Sequence, residues 1–572
     1  MNSLYLPEGR LLMLQRDFWR RPCAARKVSP WHLVSSREVL RMTDNWWQRG
    51  VIYQIYPRSF RDANGDGIGD LGGILERLDY CASLGADALW LSPIYPSPMA
   101  DFGYDVSDYT DIDPIFGTLA DFDDLLMEIK RRGMKLILDF VPNHTSDEHP
   151  WFKASRSSRH SSKRDWYLWR DAAAGGGPPN NWLSNFGGSA WQWDEPTEQY
   201  YYHAFLKEQP DLNWRHPEVV TAMHQVLRFW LNKGVDGFRV DVVWLLIKDD
   251  QWRDNPPNPD YKPGMPPNHS QIPLYTTDRP EVQAVVSGLR RVVDEFDNRV
   301  LIGEIYLPLD KLMAYYGANL DGAQLPFNFQ LLQSAWEARG IAALIDRYED
   351  ALPRGGWPNW VLGNHDNPRI ASRVGVPQAR VAAMLLLTLR GTPTMYYGDE
   401  LGMANVSIPA DRVQDPFEKN VQGVGLGRDP CRTPMQWDGS IYAGFTVGEP
   451  WLPISDDYAV VNVRAEGDDP SSFLALYRRL LKLRRSHPAI SIGEYEPLAA
   501  SGDLLAYVRH TPDERILIAL NLGGKPCALF LGSPGMVGRT LVSTYLDRQD
   551  EVATTNLGLR ANEGLIVALS AG

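Results

Sequence analysis

The stretch Gly237-Phe238-Arg239-Val240-Asp241 ends an apolar, strand-like run in a carboxylate, with an arginine two residues before it. Successive side chains of a strand point to opposite faces, so Arg239 and Asp241 lie on the same side of the backbone. A nearby cation lowers the pKa of an acid, and we therefore expect Arg239 to hold Asp241 ionised at neutral pH, as a nucleophile requires. Taken alone, such a pair is more often a structural ion pair than a catalytic one.

Three further apolar runs end in the same way. They are Lys135-Leu-Ile-Leu-Asp139, which continues to Asn143-His144; Val300-Leu-Ile-Gly-Glu304; and Trp360-Val-Leu-Gly-Asn364, which continues to His365-Asp366. The segments between them are long enough to hold strand-plus-helix units. This spacing predicts an α/β fold in which the acids gather at the C-terminal rim of a parallel (β/α)8 barrel.

Length and composition limit the possible partners. The 572 residues suffice for two or three domains, and the net charge of −13 argues against nucleic acid or an anionic membrane and fits a neutral substrate. The four cysteines have no CxxC spacing, as expected of unpaired thiols in a reducing compartment, and no apolar run is long enough to span a membrane. We therefore expect a cytoplasmic protein, monomer or homodimer, that acts on a small molecule.

The pattern of predicted elements divides the chain into four segments. Residues 1–41 are rich in arginine and are predicted to be an extension that is disordered or not native. Residues 42–144 and 211–488 carry the barrel, whose sixth strand has the weakest signal and is placed at 322–325. A structureless loop of about sixty residues is improbable in a compact domain, so residues 145–210 are predicted to form an inserted subdomain after the third strand. Short alternating strands in residues 489–572 predict a C-terminal antiparallel β-sandwich.

The loop Asp62-Ala-Asn64-Gly-Asp66-Gly-Ile68-Gly-Asp70 has the oxygen-ligand spacing of a calcium loop, with a glycine at position 6. Gly73 stands at position 12, where an EF-hand carries a bidentate glutamate, so no EF-hand is implied. We expect a structural Ca²⁺ or Mg²⁺ held by Asp62, Asn64, Asp66, the Ile68 carbonyl and Asp70. The alternative is a metal-free turn that caps the next helix. No organic cofactor is expected.

His144 and His365 lie beside strand-end acids, and with Asp241, Glu304 and Asp366 they permit three chemistries. A metal site lacks close HxxxH or HxH spacing, and serine hydrolysis lacks a G-x-S-x-G elbow. Glycoside chemistry needs an ionised nucleophile, a protonated acid and neutral donors for sugar hydroxyls, all of which these positions offer. Glycoside chemistry is therefore favoured.

In order and spacing, the motifs that end in His144, Asp241, Glu304 and Asp366 resemble the four signature regions of the α-amylase superfamily, glycoside hydrolase family 13. The resemblance covers about residues 42–572. Gln209-Pro-Asp-Leu-Asn213 and Arg432-Thr-Pro-Met-Gln-Trp437 are similar to further signatures of its oligo-1,6-glucosidase and α-glucosidase branch.

The resemblance implies a role for each matched position. Asp241 would be the nucleophile, Glu304 the acid/base, and Asp366 the residue that holds the 2- and 3-hydroxyls of the sugar. The residues implied to form the glucose pocket are Asp101, Tyr104, His144, Phe186, Arg239, His365 and Arg428. Relatives of this branch often carry a structural cation in the loop that corresponds to residues 62–70.

The implied activity is that of a retaining, exo-acting α-glucosidase that releases glucose from maltose- or isomaltose-type oligosaccharides, with transglucosylation beside hydrolysis. Val242 follows the nucleophile, as in relatives that cleave α-1,6 bonds, but the proline-rich excursion 255–264 indicates a less common subgroup, so the linkage stays open. An isomerase or glucosyltransferase of the same fold is the alternative, although the isomerase motifs after Glu304 and in residues 344–357 are absent. A non-catalytic binding subunit is disfavoured because all three carboxylates are present.

Overall fold

The computed structural model describes residues 45–531 and 536–571, so the predicted extension 1–41 lies outside the described residues. Eight parallel strands form a closed barrel: Ile52–Ile55, Ala88–Leu91, Lys135–Phe140, Gly237–Val240, Val300–Gly303, Leu325–Asn328, Asn359–Val361 and Thr392–Tyr396. They pair in chain order, and the first strand pairs with the eighth, with Ile52 opposite Thr394. The barrel predicted from the strand-end acids is confirmed.

Helices precede, connect and follow the barrel strands. The longer ones are Leu119–Arg131, Pro217–Lys233, Val282–Val293, Ala338–Ala351, Val376–Thr388 and Phe473–Ser486; the shorter ones are Trp46–Arg49, Leu71–Glu76, Leu78–Leu84, Leu309–Ala314, Gln330–Gln333, Ile370–Val374, Pro416–Asn420, Val463–Asp468 and Pro488–Ser491. In Leu119–Arg131 the buried residues Phe122, Leu125 and Ile129 recur at helical spacing, and Thr118 caps its first turn. Such one-sided helices cover the barrel and leave its C-terminal rim to the loops.

The sixth strand is shifted from its predicted position, because Leu325–Asn328 begins where the prediction 322–325 ended. The N–H of Gly322 donates to the Tyr316 carbonyl at 2.9 Å, so this residue closes a loop and does not extend the strand. Gly303 pairs with Pro326, and proline, which lacks an N–H, is uncommon inside a sheet. The strand was therefore hard to recognise in the sequence, because Pro326 lies inside it.

The segment between the third and fourth barrel strands folds as an inserted subdomain. It contains the helix Pro150–Arg156 and a three-stranded antiparallel sheet made of Trp169–Arg170, Gln199–Tyr202 and Trp191–Asp194. Phe152 of the helix stacks on Trp169 with 5.7 Å between ring centroids. Aromatic packing therefore forms the core of this subdomain.

An antiparallel β domain forms the C-terminal part of the chain. Its six-stranded sheet has the order Glu494–Ser501, Leu504–His510, Arg515–Asn521, Gly564–Ala571, Met536–Ser543 and Val552–Ala553, and a two-stranded sheet pairs Cys527–Phe530 with Asn556–Leu559. Leu529 and Leu557 of the smaller sheet share a buried cluster with Leu517 and Val567 of the larger one. The predicted C-terminal β domain is thus present, and the boundaries given for the four segments stay predictions.

Within residues 45–531 and 536–571, no helix has both the length and the apolar character needed to cross a membrane.

Candidate active site

The strand-end acids meet at one rim of the barrel. Asp241 follows the strand Gly237–Val240 directly, and Glu304 follows Val300–Gly303 in the same way. A pocket at this rim is lined by Asp101, Tyr104, His144, Phe186, Phe205, Gln209, Asp241, Val242, Glu304, His365, Asp366 and Arg428. The structure therefore brings together every residue predicted for catalysis or glucose binding except Arg239, which is 1% exposed and contacts the acids.

One guanidinium contacts three carboxyl groups. Arg239 Nη1 donates to Asp139 Oδ1 and to Asp241 Oδ1, each at 2.8 Å, and Nη2 lies 2.6 Å from Glu304 Oε2. The Val242 N–H also donates to Glu304 Oε2, at 2.9 Å. Because Asp241 and Glu304 share one fixed partner, their carboxyls lie close together, as a retaining mechanism requires.

Burial opposes the effect of Arg239 on the acids of this cluster. It raises the pKa of Asp241 well above its usual range and also raises the pKa of Glu304, and neighbouring acids add to both shifts while Arg239 opposes them. Burial likewise raises the pKa of Asp139 to about 6. Arg239 lowers the pKa of Asp241, in the sense that the sequence predicted, but it acts on three buried carboxyls at once, so the ionisation of Asp241 at neutral pH stays a prediction.

The Asp241 and Glu304 carboxyls meet at one guanidinium, so their ionisation is coupled. Two like charges this close disfavour each other, which favours a pair that carries one proton. Such a proton belongs to the pair and not to one residue in isolation. One ionised and one protonated carboxyl are the combination that a nucleophile and a general acid need.

Asp366 stays ionised because cations surround it. Its Oδ1 accepts from Arg432 Nη2 at 3.0 Å and from Arg428 Nη1 at 3.4 Å, and its Oδ2 lies 3.2 Å from His365 Nε2. Burial would raise the pKa of Asp366, but the guanidinium groups of Arg428 and Arg432 hold it below the usual range. Asp366 therefore offers two acceptor oxygens and is the poorest proton donor of the three acids.

A neutral histidine lies against Asp366. Burial lowers the pKa of His365 well below its usual value. Gln54 Nε2 lies 2.8 Å from Nδ1, and the hydroxyl of Tyr104 lies 2.6 Å from Nε2 and donates to Asp139 at 3.0 Å. With Nδ1 accepting from Gln54, the ring carries its proton on Nε2, the nitrogen that faces Tyr104 and Asp366.

A buried lysine orients His144. Lys248 Nζ donates to Asn143 Oδ1 at 2.7 Å and forms an ion pair with Asp211. Asn143 Nδ2 then donates to Asp211 Oδ2 at 2.8 Å and lies 3.1 Å from His144 Nδ1. Burial lowers the pKa of His144, and a neutral ring that accepts at Nδ1 carries its proton on Nε2, 2.9 Å from the Tyr104 carbonyl. Lys248 is therefore a positioning residue for a donor in the pocket.

We expect Lys248→Met to lower kcat/KM about 10-fold, mainly through KM, because Asn143 loses the partner that holds its amide and His144 can then present the wrong tautomer. The measurement is steady-state kinetics on maltose beside a melting curve. Lys135→Met is the matched control, since Lys135 also pairs with a buried acid, Asp236, at 3.5 Å. An unchanged KM in Lys248→Met would contradict this role.

In the loop predicted to bind a cation, the side chains of the predicted ligands accept hydrogen bonds from the backbone of the same loop. Backbone N–H groups donate to the side chains of Asp62, Asn64, Asp66 and Asp70, and Asp70 also caps the helix Leu71–Glu76 through the Gly73 N–H. In the part of the chain that the structure describes, no three His, Cys, Asp or Glu side chains are placed to hold a metal ion. The donor set fits Ca²⁺ or Mg²⁺ in type, since all its members are hard oxygens, but Asp70 has to leave its backbone partners to join them.

Sequence reasoning missed several groups around the pocket. Phe205 and Gln209 line it, and Asp415 binds Arg428 through Nη2 at 2.7 Å and Nε at 3.1 Å. Burial would raise the pKa of Asp415, but Arg428 lowers it to about 2. Gln209 and Arg432 belong to motifs visible in the sequence, whereas Asp415 lies in a long loop with no motif to mark it.

Comparison with known proteins agrees with this geometry. The family model described as the alpha amylase catalytic domain matches residues 54–493. A protein named "Probable alpha-glucosidase" from Rhizobium meliloti (strain 1021) is 43% identical over 533 residues, which cover 90% of this chain and 97% of that protein. An oligo-1,6-glucosidase from Halalkalibacterium halodurans is 38% identical over 567 residues, 92% of this chain and 99% of that protein.

Solved structures are similar over nearly the same length. An alpha-glucosyl transfer enzyme has a TM-score of 0.87 and 38% identity, covering 92% of this chain and 100% of that one. The trehalulose synthase from Pseudomonas mesoacidophila MX-45 has a TM-score of 0.84 and 36% identity, covering 92% of this chain and 99% of that one. Similar proteins are therefore named as glucosidases, as a glucosyl transfer enzyme and as a trehalulose synthase.

Proposed function

Because the chain belongs to the α-amylase family of glycoside hydrolases, we propose that it is a retaining, exo-acting α-glucosidase that releases glucose from the non-reducing end of short α-glucosides. The observation that carries this proposal is the Asp241–Glu304 pair, whose two carboxyls share Arg239 at the floor of a polar pocket. Transfer of glucose to another hydroxyl accompanies hydrolysis, since water and sugars compete for one intermediate.

The two carboxyls of the pair act in sequence. Asp241 attacks the anomeric carbon while Glu304 gives its proton to the leaving oxygen, and Glu304 then takes a proton from the water that hydrolyses the glucosyl ester. Asp366, ionised beside Arg428 and Arg432, accepts hydrogen bonds from sugar hydroxyls and stabilises the positive charge that develops on the ring. The two substitutions at the anomeric carbon retain its configuration.

Exo action follows from the loops that meet across the pocket. Arg428 Nη2 donates to Asp101 Oδ1 at 2.6 Å, which joins the loop after the second strand to the long loop after the eighth. Phe186 of the inserted subdomain lies under the same guanidinium, 5.0 Å from ring centroid to Cζ. A pocket closed in this way holds one terminal glucose. A polysaccharide chain cannot continue past the side that Arg428, Asp101 and Phe186 close.

The test is a set of initial rates on maltose, isomaltose, sucrose, trehalose and soluble starch at one protein concentration, with products separated by chromatography. Glucose from maltose or isomaltose, with starch nearly inert, would support the proposal and decide the linkage. Isomerised disaccharides without free glucose would overturn it in favour of an isomerase of the same fold.

We also propose that Asp62, Asn64, Asp66, the Ile68 carbonyl and Asp70 hold a structural Ca²⁺ or Mg²⁺ that stabilises their loop and takes no part in catalysis. Treatment with a chelator is expected to lower Tm, and added Ca²⁺ to restore it, since a ligand at 100 times its Kd stabilises by about 2.7 kcal/mol. Asp62→Asn should abolish the response to Ca²⁺. A Tm that is the same with chelator and with Ca²⁺ would remove the cation from this loop.

We also propose that the protein is cytoplasmic and that it is a monomer or a homodimer. Unpaired thiols support a reducing compartment: Cys81 and Cys431 are buried without a disulfide, and Cys527 is half-buried and also free, while Cys23 lies outside the described residues. Light scattering of the purified protein gives its mass in solution.

A further inference from the structure

A cavity of about 620 Å³ lies between the inserted subdomain and the helix Pro416–Asn420. Its volume falls within the range of about 300–1,000 Å³ that is usual for small-molecule sites. Phe205 lines both this cavity and the glucose pocket. In three pairs of chain neighbours one residue lines one space and its neighbour lines the other: Ala100–Asp101, Phe186–Gly187 and Glu208–Gln209. The cavity and the glucose pocket are therefore separate spaces on the two sides of a thin wall.

The floor of this cavity is buried and partly aromatic. Trp191 and Phe205 both line it and are buried. The Trp191 ring stacks on Trp182 with 6.0 Å between ring centroids, and its indole N–H donates to Asn180 Oδ1 at 2.7 Å. Rings that are held in this way offer a fixed apolar surface to the C–H groups of a ligand.

The floor also carries a histidine whose proton position is fixed. His203 is 6% exposed and lines the cavity, and its Nδ1 lies 2.9 Å from the Phe205 carbonyl. Because a carbonyl oxygen only accepts hydrogen bonds, Nδ1 carries the proton. Burial lowers the pKa of His203, so the ring is neutral at pH 7 and Nε2 keeps its lone pair. Nε2 is therefore an acceptor for a hydroxyl group.

The rim of the cavity carries both donors and acceptors. Its polar side chains with an amide or a charge are those of Gln192, Lys207, Glu208, Lys419 and Asn420. Lys207 Nζ lies 3.8 Å from Glu208 Oε1, so the ammonium already has an anionic partner. A hydroxyl group both donates and accepts, so a neutral compound with several hydroxyls matches this set. An anion would meet the lone pair of His203 and the carboxylate of Glu208.

We propose that this cavity is a second monosaccharide site, separate from the catalytic pocket, which binds free glucose or another neutral sugar of that size. The sugar packs its C–H face on Trp191 and Phe205 and donates a hydroxyl proton to Nε2 of His203. Neither Asp241 nor Glu304 lines the cavity, so the sugar is bound there and not cleaved.

Saturation-transfer NMR tests the proposal with glucose as the probe and with the catalytic pocket filled by saturating deoxynojirimycin, a glucose analogue with a basic ring nitrogen. We expect the glucose signal of the unmodified enzyme to persist in the presence of the inhibitor. A signal that the inhibitor abolishes would place all bound glucose in the catalytic pocket and overturn the inference. Glucose release from maltose is measured in the same samples; its absence before inhibitor is added would count against the proposed function alone, and the variants then decide the inference.

Two substitutions locate the glucose that remains bound. Asn420→Trp fills the cavity from its exposed rim and is expected to lower the remaining signal at least about 5-fold, whereas Asn319→Trp, at an exposed asparagine outside the cavity, is the control. His203→Phe removes the buried acceptor and is expected to weaken glucose binding about 5-fold. The same remaining signal in Asn420→Trp and in its control would contradict the placement of the sugar in this cavity.

Discussion

Asp241→Asn is expected to lower kcat on maltose by about 10⁴-fold or more, because loss of an enzymatic nucleophile costs rates of this order. An amide does not form the glucosyl ester, and the water and hydroxyl acceptors of the second step then have nothing to attack. The substitution keeps the shape of the side chain and removes one acid from a buried cluster that holds more acid than cation. We therefore expect Tm to stay the same or to rise slightly.

The measurement is kcat by glucose release together with a melting curve of each protein. Asp124→Asn, an exposed acid on the helix Leu119–Arg131, is the control for the loss of a carboxylate and should match the unmodified protein in both. Turnover within about 10-fold of the unmodified enzyme would show that Asp241 is not the nucleophile, because a tenfold difference in rate corresponds to only about 1.4 kcal/mol.

Arg239→Leu is expected to cause the largest loss of stability, about 3–5 kcal/mol in the free energy of unfolding, and to abolish activity. Arg239 is 1% exposed and contacts Asp139, Asp241 and Glu304, so its removal leaves three buried carboxyls without their shared cation. The cost arises from the acids left behind and not from the attraction that is lost. Denaturant unfolding at several pH values measures it.

The pH dependence of this loss has a definite sign. Burial raises the pKa of Asp241 and of Glu304 in the folded protein, so stability from these groups is full below about pH 4 and is lost as the pH rises through the raised pKa values. Arg239 opposes these shifts, and without it the pKa values rise further. The deficit of Arg239→Leu is therefore expected to be larger at pH 8 than at pH 5.

Arg228→Leu is the control for the loss of an arginine ion pair. Arg228 and Glu295 form an ion pair at 2.6 Å, and their side chains are 40% and 44% exposed. Because solvent screens such pairs, the free energy of unfolding is expected to fall by less than about 1 kcal/mol, with little dependence on pH. If Arg239→Leu loses no more unfolding free energy than the control, or if its loss becomes smaller as the pH rises, Arg239 does not stabilise the three buried carboxyls.

The sequence located most of the candidate site because its signals are local. Asp241 and Glu304 each follow an apolar run directly, and the C-terminal ends of parallel strands share one rim, so residues far apart in the chain are placed together by topology alone. The sixth strand was misplaced because Pro326 interrupts the usual pattern of a central strand. Asp415 was not identified because its role depends on a contact with Arg428 that the spacing of residues in the sequence does not reveal.

What the sequence by itself determined is the barrel, the inserted and C-terminal β domains, the family and the identity of the acids, since periodicity and motif order are properties of the chain. What only the tertiary structure decided is how those acids are charged. Asp139, Asp241 and Glu304 come from three neighbouring strands and meet at one buried guanidinium, while Asp366 lies between two others. Protonation depends on burial and on distances across strands, and neither quantity exists until the barrel has closed.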